Sequence, residues 1–114
     1  MLYIQHKGKD VNVDEIHHGF LSRQDGKYFI EENGKLHEVI KETVVQKVLN
    51  QFGNDIPDLY ENDNITIYND VEEEIITGDI RYSNTFLGWI IKNNDVEQQL
   101  FPFIGGGNVI KKNY

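Results

Sequence analysis

Residues 58–82 read "DLYENDNITIYNDVEEEIITGDIRY", and this stretch decides the fold. Ile65 and Ile67 alternate with Thr66 and Tyr68, a period of two that marks a strand with one face on a core. "NITIY" (64–68) and "EEIITGDIRY" (73–82) are therefore predicted as strands joined by a polar turn. The same stretch holds eight carboxylates and one basic residue, Arg81. A predicted hairpin so heavily loaded with negative charge asks for a functional reason.

Downstream, "TFLGWIIK" (85–92), "VEQQLFPF" (96–103) and "NVIKK" (108–112) are further strand candidates. "SN" and "NND" serve as turns, and "IGGG" as a flexible approach to the last strand. Pro102 fits only a strand end or edge. Gly78 inside a strand suggests a bulge. Upstream, "KYFIEE" (27–32), "NG" (33–34) and "KLHEVI" (35–40) form a predicted hairpin, because Asn-Gly suits a turn with φ > 0 at both central residues. "GFLSR" (19–23) is a weaker strand ending at the turn "QDG", and "LYIQ" (2–5) is a short one. Between the hairpin and residue 58, "KETVVQKVLNQFG" (41–53) changes period. Val44, Val45, Val48, Leu49 and Phe52 share one helical face, which predicts a short helix stopped at Gly53, although the β-branched run also suits an extended strand.

The motif "DLYENDNITIY…GDIRY…GWII", with "ETVVQ" (42–46) ahead of it, resembles the YopX family of small phage and prophage proteins over about residues 27–92. Tyr60, Glu61, Asp63, Gly78, Ile80 and Tyr82 match residue by residue. Asn62 stands where the family has a turn glycine, and the first 26 residues carry no R-A-W-D motif. The resemblance implies an SH3-like barrel from about residue 58 to 112, preceded by an N-terminal hairpin region and a short helix (1–53). It implies a phage or mobile-element origin and brings no enzymatic activity with it. Asn is the next best residue at positive φ, so Asn62 is expected in a left-handed conformation, with Tyr60 anchored in the core and Asp63 or Asn64 bonding nearby backbone N–H groups.

The chain has 114 residues, enough for one mainly β domain. It has no cysteine, which excludes disulfides and thiolate metal sites and suits the cytoplasm of a bacterial host. No apolar run is long enough to span a bilayer, and "MLYIQHKGKD" does not read as a secretory signal. Net charge is −8, and residues 48–80 carry nine acids and no base. Such a surface repels phosphates and attracts basic protein grooves, so direct nucleic-acid or membrane binding is not expected.

The other constellations are weak. His17 and His18 are adjacent, so one strand face cannot present both, and His6 and His37 complete no metal motif; no metal or cofactor is expected. "GGGN" (105–108) lacks the Lys-Ser/Thr and the helix of a phosphate loop. Ser22, Ser83 and Thr85 sit in no nucleophile motif. Glu72 and Glu74, read as strand residues, share a face and form a solvated pair without an acid–base partner. Tyr82, Phe86, Trp89, Phe101 and Phe103 read as core, with a minority free to act as an exposed anchor.

The sequence thus favours a non-enzymatic protein presenting acids to a basic host protein, as a phosphate-mimicking inhibitor of a nuclease or defence effector would. Asp58, Glu61, Asp63, Asp70, Glu72, Glu74 and Asp79 are the expected contact residues. An assembly or scaffold module, or a small-ligand-binding protein, are the alternatives.

Overall fold

Asn33 and Gly34 take φ of 52° and 81°, the two left-handed residues that an Asn-Gly hairpin turn requires. The computed structural model describes residues 4–114. Within them the chain forms two units, one ending at Lys47 and the other beginning at Val48. Both are built from antiparallel strands.

In the first unit the strands are β1 (His6–Lys9), β2 (Ile16–Gln24), β3 (Lys27–Glu32) and β4 (Lys35–Val39), with β5 (Val45–Leu49) starting there. Their order is β4-β3-β2-β1-β5. The sheet curls, since Asp10 bridges to Val39, Val11 N–H donates to the Glu38 carbonyl at 3.1 Å, and Ile40 N–H donates to the Lys9 carbonyl at 2.8 Å. Edge strand β4 thereby returns to the far end of β1. The concave side buries Ile30, Val39 and His17. Of the expected strand at 2–5, Leu2 and Tyr3 lie outside the described residues, and Ile4 and Gln5 precede β1.

The helix expected over 41–53 does not form. Lys41–Thr43 make one 3₁₀ turn and Val45–Leu49 continue as strand β5. Val45 and Gln46 pair with Lys7 and His6 of β1. Three valines in five residues suit a pleated strand, and a partner ladder overrides the helical spacing. Gly53 has φ of 61° in a turn beside the Phe52–Ile56 bridge, not at a helix end.

The second unit contains β6 (Leu59–Tyr60), β7 (Asn64–Tyr68), β8 (Glu74–Ser83), β9 (Gly88–Asn93), β10 (Val96–Gln99) and β11 (Val109–Lys112). Five of them form a sheet in the order β10-β9-β8-β7-β11. One face carries Ile65, Ile67, Ile76, Ile80, Ile91 and Ile110, which pack with Ile56, Leu59 and Leu100 into a single core. Each fully buried side chain of this size contributes roughly 1.5–3 kcal/mol. The opposite face is polar around the centre: Thr66 and Thr77 hydroxyls lie 2.8 Å apart, and Asn113 Nδ2 donates to Thr66 Oγ1 and Asn64 Oδ1, each at 2.9 Å.

The described residues form two antiparallel sheets and no closed barrel. Residues 85–87 belong to a turn rather than to β9, and the strand expected over 96–103 stops at Gln99, where Phe101–Phe103 form a 3₁₀ turn around Pro102. Gly78 is not a bulge. It pairs regularly with Ile65, and a Cβ there would sit 2.6 Å from the Lys92 carbonyl oxygen, so glycine permits the close approach of β9. The bulge lies nearer the turn: Ile67 faces Ile76 but Tyr68 faces Glu74, leaving Ile75 as the extra residue.

Candidate functional site

The β7–β8 hairpin separates the acids of the second unit into two groups. Asn64 pairs with Asp79 at one end and Tyr68 with Glu74 at the other. Four residue steps of strand place those ends about 14 Å apart.

At the first end the acids hold the fold together. Asn62 takes φ of 73°, as the turn reading expects, and its N–H donates to the Ile80 carbonyl at 2.9 Å. Asp63 Oδ2 accepts from Tyr60 N–H at 2.8 Å and pairs with Lys112 Nζ at 3.3 Å. Tyr60 is buried beneath this turn, with the Lys112 ammonium 5.4 Å from its ring centre. Asp79 accepts from Asn64 Nδ2 at 2.9 Å and lies 3.6 Å from Arg81. Asp58 accepts from Gln51 N–H at 2.7 Å. Glu61 is half-buried in the turn. Four of the seven expected contact acids therefore stand here, and three of them serve local structure.

At the other end Asp70, Glu72 and Glu74 are exposed, as is Glu73. Glu72 does not share a strand face with Glu74. It sits in the turn with φ of 63°, and β8 begins only at Glu74. The turn is built around Asn69, whose Oδ1 accepts from Val71 N–H at 3.1 Å and Glu73 N–H at 2.8 Å. Asn69 N–H donates to the Glu73 carbonyl at 2.9 Å, closing the loop. A glutamate at positive φ is an uncommon choice where glycine or asparagine is easier.

The bulge adds an apolar element to this end. Ile75 is 42% exposed and Val71 64%, although both are β-branched apolar residues inside an acidic segment. Glu74, Ile75 and Thr77 line one groove with Asn94 and Asp95 of the β9–β10 turn and Val96 at the start of β10. Val96 is itself 51% exposed. Asp95, Ile75 and Val96 lie outside the contact residues expected from the sequence, and the structure adds them. The register signal that joins them is the β8–β9 hairpin, which places the "NND" turn beside the start of β8.

The aromatic residues divide. Tyr82 and Trp89 face each other across β8 and β9 and meet edge to face, ring centres 5.6 Å apart. Trp89 and Phe103 pack against the core while Tyr82, Phe86 and Phe101 remain exposed. Ser83 Oγ accepts from Phe86 N–H at 3.2 Å, so it caps a turn.

In the first unit the structure builds a histidine cluster. His17 is buried, and its neighbour His18 points outward, as alternation requires. His17 Nε2 lies 2.8 Å from Asp10 Oδ2 and Nδ1 lies 3.0 Å from Glu32 Oε1. The His37 ring stacks on His17 at 3.8 Å, 12° from parallel. Burial works against charge on His17, but its hydrogen bonds to Glu32 and Asp10 outweigh that and hold its pKa above the ordinary value. Asp10 is held low by the Asn12 backbone N–H and by His17, and Glu32 by His17 and the His18 backbone N–H. Sequence spacing misses the pairing of His17 with His37, because it arises from the curl of the sheet.

Comparison of the chain with family models, curated proteins and solved structures finds no match. No helix among the described residues is long and apolar enough to cross a membrane.

Proposed function

We propose that this protein acts by binding another protein, and that the contact surface is the end of the second unit formed by the β7–β8 and β9–β10 turns. The observation that carries this reading is the shared groove of Glu74, Ile75, Asp95 and Val96. It combines exposed carboxylates with apolar side chains that a bulge and a tight turn keep out of the core. A basic, amphipathic segment of a partner fits such a surface: its cations meet the acids and its apolar residues cover Val71, Ile75 and Val96.

The reading narrows the contact set to Asp70, Glu72, Glu73, Glu74 and Asp95. Asp63 and Asp79 are already engaged with Lys112 and Arg81. A nucleic-acid-processing or defence protein, whose own groove is basic, is the kind of partner the charge favours, with the acids standing in for phosphates. Phage origin and an SH3-like ancestry for the second unit belong to the same proposal. What supports them is the turn Tyr60-Glu61-Asn62-Asp63 with its left-handed asparagine.

A photo-crosslinking residue placed at position 75 tests this surface in a bacterial lysate, with one placed at position 61 as control. The expected result is an adduct with one basic protein from position 75 only. Equal labelling from both positions overturns the assignment of the surface.

A further inference from the structure

We propose that Asp10, His17 and His37 bind a first-row divalent transition metal, with Zn²⁺ the best fit, and that Glu32 orients His17 from outside the coordination shell. One ligand atom from each of Asp10, His17 and His37 lies within 4.8 Å of the others. The donors come from separate parts of the first unit: the segment after β1, strand β2 and strand β4.

Asp10, His17 and Glu32 are fixed by hydrogen bonds. Asp10 Oδ1 accepts backbone N–H bonds from Asn12 at 2.8 Å and Val13 at 3.2 Å, which leaves Oδ2 aimed at His17 Nε2. Glu32 Oε2 accepts from His18 N–H at 3.0 Å, while Oε1 meets His17 Nδ1. A carboxylate on the far nitrogen of a ligating histidine is the usual outer support of a zinc histidine, fixing its tautomer and ring plane. The His37 ring makes no side-chain hydrogen bond to the other described residues; it is half-buried on β4 and stacks on His17.

The donor set selects the metal. Two imidazoles and one carboxylate suit Zn²⁺, Co²⁺ or Ni²⁺, whereas Ca²⁺ and Mg²⁺ take oxygen shells. A tetrahedral zinc site spaces its ligand atoms about 3.3 Å apart, so on binding the His37 ring rotates out of its parallel stack on His17 to point a nitrogen at the same ion. Water takes the fourth position.

The fold gives such a site a purpose. Among the described residues of the first unit, the buried apolar side chains are Ile30 and Val39. A unit that small, in a chain without cysteine, gains from a metal that ties β1, β2 and β4 together.

Untagged full-length protein, stripped with chelator, is titrated with Zn²⁺ by calorimetry and with Co²⁺ by visible absorption. The expected results are one metal per chain, a tetrahedral Co²⁺ spectrum and a rise in melting temperature with Zn²⁺. His37→Ala removes a ligand that makes no side-chain hydrogen bond, so it should fold, keep the metal-free melting temperature within a few degrees, and lose the metal-dependent rise. Glu32→Gln should weaken affinity about tenfold to a hundredfold. Absence of stoichiometric binding by the parent protein, or undiminished binding by His37→Ala, overturns the site.

Discussion

Glu74 lies opposite Tyr68 across the β7–β8 hairpin, one position out of step with the pairing of Ile76 and Ile67. That slip turns Ile75 away from the core and sets it among carboxylates. Ile75→Ala should therefore change stability by less than about 1 kcal/mol, while Ile76→Ala should cost about 2–4 kcal/mol. Urea denaturation of the two variants checks this. Similar losses would place Ile75 in the core.

Gly78 is expected to be intolerant for a reason other than backbone freedom. An added Cβ meets the Lys92 carbonyl oxygen at 2.6 Å and Ile91 Cγ2 at 2.9 Å. Gly78→Ala should push β8 and β9 apart and cost about 1–3 kcal/mol in chemical denaturation. A neutral result would mean that the strands separate without losing their pairing.

Asn62 at φ of 73° tests the turn. Asn62→Gly removes the side-chain oxygen that accepts from Arg81 but relieves the backbone, so the two effects nearly cancel. Asn62→Val should cost about 1–2 kcal/mol, because a β-branched residue resists a left-handed conformation. Thermal melts of the three proteins compare them directly.

The histidine cluster predicts a pH window for the metal-free protein, measured in chelator. His17 faces Asp10 and Glu32, with His37 stacked on it and His18 beside Glu32. Its raised pKa stabilises the fold fully below the ordinary histidine value of 6.5, and that contribution is lost as pH rises through the folded value. The lowered pKa values of Asp10 and Glu32 stabilise it above their ordinary 3.8 and 4.5, and are lost as pH falls through the folded values. Melting temperature should thus peak between about pH 4.5 and 6.5 and decline on both sides. His17→Gln should flatten the alkaline decline.

Much of the second unit was legible in the sequence. The alternation in "NITIY" matches β7 residue for residue, and Asn33-Gly34 fixed the first hairpin, because both signals are local. The helix over 41–53 failed because valines at helical spacing also suit a strand, and pairing with β1 decided the outcome. The acidic surface is visible as composition, but its division is not: Asp63 meets Lys112 and Asp79 meets Asn64 through contacts between residues distant in sequence. Glu72 reads as a strand residue because a left-handed glutamate leaves no mark in the sequence. The meeting of His17 with His37 depends on sheet curvature, which no spacing rule encodes.

The acidic groove is tested most directly by the affinity of the crosslinked partner, once purified, for the wild-type protein, for Glu74→Lys/Asp95→Lys and for Glu61→Lys, each at low and high salt. The double reversal should weaken binding by about tenfold or more, Glu61→Lys should change it little, and added salt should weaken the wild-type complex. Equal affinity for all three proteins, insensitive to salt, would contradict it.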